Sequence, residues 1–417
     1  MLTKAPKGTK DILPEEVYKW DYVENAFAEV CRKSGFREIR TPDFEHTELF
    51  KRGVGGTTDI VQKEMYTWDQ AKRSLTLRPE GTSPVVRSMV EHKLYADPQP
   101  LKFFYDIPCF RYEKPQAGRL RAFHQFGVEV FGTENMMADA EVIALAQDFL
   151  ETMGITSTQL RINSIGCPKC RTKYKQVLKE FLAPKYDQLC STCKSRYETN
   201  PMRILDCKSP EDQKLIEGAP MMIDYLCEDC WQAFDELQVN LDAMGIDYVV
   251  DPGIVRGLDY YTKTAFEFVT DTIGAQGTVC GGGRYDNLSE ELGGPPIPGV
   301  GFGLGIERLL ITMEAAGKEI PVPQGADAFI VFMGESARKE GMALMRSLRK
   351  AGFRVEMDML ARNVKNQFKC ADRAGAKRTI VIGEDEIAKK VVSMKNMETG
   401  TQETVPFDKI ISYLEEK

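Results

Sequence analysis

The chain has 417 residues, 42% hydrophobic and 28% charged, enough for two or three globular domains with substantial cores. No apolar run approaches the ~18 residues of a membrane span, and the opening MLTKAPKGTKDILPEE lacks the apolar centre of a signal peptide, so a cytoplasmic protein without membrane contact is expected. A net charge of -7 argues against a general nucleic-acid binder, although residues 338–378 carry twelve Lys/Arg against four Asp/Glu, a local excess suited to a phosphate backbone or to a solvated helix face.

Apolar residues at 20, 23, 27, 30 and 31 have helical spacing, and Gly35 is placed to cap that helix. Residues 36–40 read as a short strand stopped at Thr41-Pro42. Residues 101–112 and 122–131 read as two long strands joined by the Arg-rich segment 113–121, a hairpin with a mobile, basic tip. An amphipathic helix spans 138–153, with Gly154 at its end. Composition shifts at Gly166, and 167–230 is Cys-rich, Lys-rich and helical in pattern. Strand-like sequence resumes at 248–250 and continues through 265–269 and the Gly-rich stretch 274–284. Residues 299–313 read as a strand, a glycine turn and a helix. After the linker Pro321-Val-Pro323, strands at 328–332, 353–356 and 379–382 alternate with helical segments, the βαβαβ pattern of a small α/β domain.

Nucleotide motifs narrow by elimination. No G-x-x-x-x-G-K-[ST] occurs, and Ile306 stands where a dinucleotide fingerprint starting at Gly301 and Gly303 needs its third glycine. If the chain uses ATP, side chains must hold the phosphates, a task suited to the bidentate, permanently charged guanidinium. Arg111, Arg256 and Arg308 stand in unusual settings: Cys-Phe-Arg-Tyr-Glu113 at a strand end, Val-Arg-Gly-Leu-Asp-Tyr-Tyr261, and Gly-Phe-Gly-Leu-Gly-Ile-Glu-Arg308 where a glycine-rich strand meets a helix. Each alone reads better as a surface ion pair.

Eleven cysteines accompany only three histidines, His46, His92 and His124. In a reducing compartment the cysteines are thiols or metal ligands. Cys167-x-x-Cys170 and Cys190-x-x-Cys193, nineteen residues apart, have zinc-ribbon spacing, so these four thiolates are candidates for one tetrahedral Zn2+ site. Cys207, Cys227 and Cys230 follow, and a helical insertion with idle thiols is the competing reading.

Taken together, the strings resemble the class II aminoacyl-tRNA synthetases, and among them the histidyl-tRNA synthetases, over essentially the whole chain. Gly35-Phe36-x-x-Ile39-x-Thr41-Pro42 resembles motif 1, the dimer element. Phe110-Arg111-Tyr-Glu113 with Phe123-His124-Gln125-Phe-Gly-Val-Glu129 resembles motif 2, and Gly303-Leu-Gly305-Ile-Glu-Arg308 resembles motif 3. The amino acid is indicated by Arg256-Gly-Leu-Asp-Tyr260-Tyr261 and Gly282-Gly283-Arg284-Tyr285-Asp286, which resemble the family's histidine signatures, as do Pro6-Lys-Gly8-Thr9-Lys-Asp11-x-Leu-Pro14 and Arg78-Pro-Glu80-Gly-Thr82. No HIGH-like or KMSKS-like string of class I is present.

The resemblance implies an α+β fold: a class II antiparallel sheet flanked by helices, a helical Cys-rich insertion and a C-terminal α/β anticodon-binding domain. The implied segments are 1–166 and 236–322 for the catalytic domain, 167–235 for the insertion and 325–417 for the anticodon domain. It further implies L-histidine, ATP with Mg2+ and tRNA(His) as ligands, and a homodimer. By resemblance Arg111, Arg256 and Arg308 are catalytic. Arg111, Glu113, Phe123 and Arg308 bind ATP. Glu80, Gly81, Thr82 and Gln125 serve the histidine ammonium, Glu129 and Tyr261 its ring nitrogens, with Tyr260 lining the pocket and Arg111 and Arg256 near the carboxylate. Lys114, Gln116, Arg119 and Arg121 meet the tRNA acceptor end. Zinc is not a general property of the family.

Two relatives of this fold offer rival readings. One is a histidine-binding, non-catalytic regulatory subunit of ATP phosphoribosyltransferase, which lacks the C-terminal domain and usually the phosphate-binding arginines. The other is a sensor of uncharged tRNA, which comes attached to a kinase; no kinase motif fits here.

Overall fold

The computed structural model describes residues 3–416 except 57, 206, 208 and 272–276, so part of the glycine-rich stretch expected at 274–284 lies outside the described residues. The chain divides into two units, Met1–Ile320 and Pro321–Lys417, at the proline linker.

The first unit is built on an eight-stranded sheet ordered Arg37–Glu38, Leu101–Phe110, Ala122–Phe131, Gly299–Gly305, Thr278–Arg284, Thr262–Val269, Gln159–Ser164 and Val249–Val250. The first and last pairings are parallel, and the five between them are antiparallel. One face carries large apolar side chains, among them Phe126, Val128, Phe266, Phe268, Phe302 and Leu304. They bury against the helices Pro14–Lys33, Met137–Thr152 and Glu228–Ala243. Full burial of each such side chain contributes about 1.5–3 kcal/mol.

The helix Pro14–Lys33 shows why the local sequence obeys. Pro14 sits at its first position, Glu15 and Glu16 occupy the first turn, and Arg32 and Lys33 the last, all favourable to the helix dipole. Trp20, Val23, Phe27 and Cys31 form its buried stripe. The chain leaves through Gly35 at φ +79°, the left-handed conformation expected of a C-terminal cap.

Two segments differ from expectation. The strand Gly299–Gly305 runs straight into the helix Ile306–Ala315 with no intervening turn, because Gly305 is still extended at φ -82°, ψ 125° as the N-cap. A three-stranded sheet of Phe44–His46, Arg73–Leu77 and Thr67–Gln70, followed by the helix Thr82–Glu91, fills a region without clear periodicity.

The insertion has its own small core, formed by Tyr174, Leu178, Leu182, Ile204 and several cysteines of the segment 167–230. Its main helices are Pro168–Leu182, Ser191–Thr199 and Pro210–Ile216.

In the second unit Val355–Met357, Ala328–Phe332 and Arg378–Ile382 pair in parallel, as the βαβαβ pattern predicts. The sheet then gains two antiparallel strands, Val391–Asn396 and Gln402–Pro406, whose polar edge positions concealed them. No helix among the described residues is long and apolar enough to cross a membrane.

Candidate active site

The second face of the large sheet is nearly bare at its centre. Glycines recur with period two at 281 and 283 in one strand and at 299, 301, 303 and 305 in its neighbour, so they share one face. Side chains from adjoining segments lie flat in the space this leaves. A Cβ on Gly301 would lie 2.1 Å from Glu129 Oε2, one on Gly303 2.5 Å from Gln125 Nε2, and one on Gly281 2.7 Å from Arg256 Nη1. Above this floor opens a cavity of about 730 Å3. Of the residues picked out from the sequence, Glu80, Thr82, Arg111, Glu113, Arg119, Phe123, Gln125, Arg256, Tyr260, Tyr261 and Arg308 line it. Lys114 and Gln116 are exposed on the hairpin loop, and Gly81 and Glu129 are buried behind the wall.

Glu129 lies one layer below the cavity surface, fully buried. Thr82 Oγ1 donates to its Oε1 at 2.8 Å, Tyr105 donates to the same oxygen at 3.0 Å, and the Tyr285 hydroxyl donates to Oε2. Burial pushes its pKa up to about 8, with nearby Glu80 adding to the rise, while the hydroxyls of Tyr285 and Thr82 oppose it. Tyr105 reaches this carboxyl only because Gly81 and Gly127 flank its ring; Cβ atoms there would come within 2.4 and 2.2 Å of the ring. Glu80 is also buried, accepting from the backbone N–H groups of Thr82 at 2.7 Å and Ser83 at 3.0 Å, and burial raises its pKa.

The three arginines approach from separate elements. Arg111, just past Phe110, donates to the Pro79 carbonyl at 2.8 Å, and its guanidinium lies 5.2 Å from the centre of the Phe123 ring. Arg308, in the first turn of Ile306–Ala315, donates to the Thr278 carbonyl at 2.7 Å. Arg256 Nη1 donates to Glu267 Oε1 at 2.5 Å, and Glu267 is held in turn by the Thr278 hydroxyl at 2.9 Å. Arg256 Nε is buried with no acceptor among the described residues. A guanidinium with a spare buried donor on a cavity wall is suited to an anionic ligand, since an unmet buried donor is costly.

The hairpin loop is fastened at both ends. The Gly8 carbonyl accepts from Arg121 N at 2.7 Å, and Gly8, at φ +88°, presses so close that a Cβ would lie 2.7 Å from Arg121 Cγ. Arg119 Nε stands 3.4 Å from Glu113 Oε2, and Arg121 stacks 3.8 Å from the Tyr112 ring centre. Glu307 accepts from His124 N at 3.0 Å and faces His124 Nδ1 at 3.2 Å, tying the hairpin strand to the helix that carries Arg308.

Sequence reasoning missed Tyr105 and Glu267 and gave Tyr285 no role. A lone carboxylate in Ala265-Phe-Glu-Phe-Val269 was a usable signal for Glu267. Nothing distinguishes Tyr105 from the core aromatics beside it.

A family model described as histidyl-tRNA synthetase matches residues 8–309, and one described as an anticodon binding domain matches residues 327–417. The chain belongs to the histidyl-tRNA synthetase family. It is 58% identical over 411 residues to the histidine–tRNA ligase of Caldanaerobacter subterraneus subsp. tengcongensis, covering 98% of this chain and 99% of that protein. It is 55% identical over 419 residues to that of Clostridioides difficile, covering 100% of both. The structure of the apo histidyl-tRNA synthetase of S. aureus matches with a TM-score of 0.84 at 43% identity, over 99% of this chain and 100% of that one. The chain is a histidine–tRNA ligase of class II, and its anticodon-binding domain separates it from the regulatory paralogue.

In this histidyl-tRNA synthetase the cysteine pairs are not grouped as their spacing predicts. Cys167 and Cys170 lie with Cys227 and Cys230, whereas Cys190 and Cys193 lie with Cys207 and Asp212. The first and third Cys-x-x-Cys pairs open the helices Pro168–Leu182 and Glu228–Ala243, and packing brings those two helix starts together. The second pair opens Ser191–Thr199 elsewhere in the module.

Proposed function

We propose that the glycine-floored cavity activates histidine, with the family's residue roles carried by the side chains named above. Histidine's carboxylate attacks the α-phosphorus of ATP in line, pyrophosphate leaves, and histidyl-adenylate remains. An anion attacking a polyanion needs fixed positive charge, the largest help a preorganised site gives. Arg111 and Arg256 flank the α-phosphate, Arg256 also meets the histidine carboxylate, and Arg308 holds the γ-phosphate end. Phe123 stacks on adenine and Glu113 receives its amino group. The observation that carries this reading is Arg256, charged, anchored by Glu267 and retaining a buried donor with no acceptor among the described residues.

Glu80, Thr82 and Gln125, around Gly81, take the ammonium. Glu129 and Tyr261 serve the two imidazole ring nitrogens, with Tyr260 lining the pocket, and the Thr82 and Tyr105 hydroxyls that donate to Glu129 hold its carboxyl in position. Apolar isosteres leave these groups unpaired and are rejected.

Glu64 would be the carboxylate that holds Mg2+, since Glu113 serves adenine. Glu64 and Glu113 both line the cavity, and the charge of Glu113 helps burial raise the pKa of Glu64, a repulsion a divalent ion relieves. When bound, Mg2+ offsets phosphate charge that three arginines leave over. Lys114, Gln116, Arg119 and Arg121 meet the acceptor end of tRNA(His), whose terminal hydroxyl takes the histidine. Residues 167–235 act as an insertion into a catalytic domain of 1–166 and 236–322, followed by the anticodon domain at 325–417. The enzyme works in the cytoplasm as a homodimer, a reading supported by the motif 1 string.

Pyrophosphate exchange into ATP, run with each amino acid in turn, tests this. Exchange with histidine alone is expected. Exchange with another amino acid and not with histidine rejects the pocket assignment.

A further inference from the structure

The insertion spends seven of the protein's eleven cysteines, and all eleven are free thiols. In each of the two groups the ligand atoms lie within 4.8 Å of one another. In the first, Cys167 Sγ is 3.6 Å from Cys170 Sγ and 3.9 Å from Cys227 Sγ. Those separations are far too long for a disulfide. They bracket the edge of about 3.8 Å that a Zn–S bond of about 2.3 Å gives in a tetrahedron. In the second, Cys207 Sγ stands 3.2 Å from Asp212 Oδ2, while Asp212 Oδ1 accepts from Cys190 N at 3.0 Å.

Further features are those of built metal sites. Backbone N–H groups point at the sulfurs: Cys227 N to Cys170 Sγ at 3.1 Å, Cys193 N to Cys190 Sγ at 3.4 Å, and Ser209 N to Cys207 Sγ at 3.5 Å. Such bonds favour thiolate over thiol and orient the ligands. Each Cys-x-x-Cys pair also sits at the cap and third position of its helix, where free N–H groups favour negative charge. Two of the four ligands are buried in the first group and three of the four in the second. Four thiolates left together without a cation would repel one another in a low-dielectric core.

We propose that the insertion is a two-zinc module: Cys167, Cys170, Cys227 and Cys230 close one site, and Cys190, Cys193, Cys207 and Asp212 close a second. Both are structural, because four protein ligands fill a tetrahedral ion and leave no position for substrate. Each ion fixes a segment that touches the catalytic unit. Next to the first, Arg171 donates to the Tyr261 carbonyl at 3.0 Å. Between the cysteines of the second, Arg196 and Arg203 reach Asp59 Oδ2 at 3.0 and 3.4 Å, and both line the catalytic cavity.

Elemental analysis of the full chain, purified without chelator, tests the proposal independently of activity. Two zinc ions per chain are expected, one for each of the two groups. Cys230→Ser and Cys193→Ser are each expected to retain one, losing different ions. Because either variant can fail to fold, the unmodified chain is also loaded with Co2+. Its spectrum should show thiolate charge-transfer bands from two sites with distinct ligand fields, one all-sulfur and one with an oxygen ligand. Less than about 0.3 zinc per chain, below what a tight structural site retains, overturns the proposal. So does a total of one zinc per unmodified chain that is absent from both variants, or iron in place of zinc.

Discussion

The floor of the catalytic cavity and the insertion beside it fix their polar groups by different means. In the sheet, Glu129 and Gln125, with Arg256 on an adjoining loop, lie where the missing glycine side chains leave room, and the strands beneath them are held by a large apolar body packed on the opposite face. The insertion has only a small core, much of it sulfur, to hold several short helices. A large domain sets geometry through burial, whereas a small module needs a few strong bonds. The difference separates two kinds of failure: damage to the floor should remove chemistry and leave the fold, and damage to the cysteine groups should loosen the fold and spare much of the chemistry.

The largest effect tests the sheet. Arg256→Ala is expected to lower histidine-dependent pyrophosphate exchange by about 100- to 1000-fold, the usual cost of one preorganised group facing developing charge. Zinc content and melting temperature should stay close to those of the unmodified chain. An exchange rate within a few-fold of normal would remove Arg256 from the reaction.

Glu129→Gln should be milder for catalysis and informative about pH. Histidine KM should rise about 10- to 100-fold, the cost of disturbing a buried hydrogen-bond array. Glu129 has a folded pKa of about 8 against an ordinary 4.5, so its stabilising contribution is complete below 4.5 and is lost as pH rises towards 8. The glutamine cannot titrate. The unmodified chain should therefore lose melting temperature relative to the variant from pH 5 to 8, then hold a constant gap. A gap that does not change with pH would mean that the carboxyl is ionised throughout.

The smallest catalytic effect belongs to the insertion. Removing metal with a chelator should speed amide hydrogen exchange in the helices Pro168–Leu182 and Ser191–Thr199 and leave the sheet strands protected. Pyrophosphate exchange should fall by less than about tenfold, below the usual cost of disturbing the surroundings of a catalytic metal. A loss as large as that of Arg256→Ala would erase the contrast between the two regions.

Much of the sheet was legible because its strands and helices carry strong periodicity and capping residues. The strand Ala122–Phe131 emerges at its predicted limits, and the helix read from Trp20 onward begins at Pro14, its polar first turn having hidden the start. The cavity-lining arginines were legible as a set, through the strings around Arg111, Arg256 and Arg308. Less visible was anything that depends on which surfaces meet. Tyr105 is an aromatic among aromatics until the glycines on either side of its ring are seen. The cysteine partners follow from helix starts that lie about sixty residues apart, and spacing along the chain favoured the nearer pair.

The glycine floor has a consequence for how this enzyme can change. A pocket made by leaving side chains out is at its roomiest already: every substitution at Gly281, Gly301 or Gly303 adds atoms, against Arg256, Glu129 or Gln125. Mutation there can only narrow the site. A variant that accepts a bulkier amino acid must therefore arise from the walls, at residues such as Tyr260 and Tyr261, while the floor acts as a ratchet that turns in one direction.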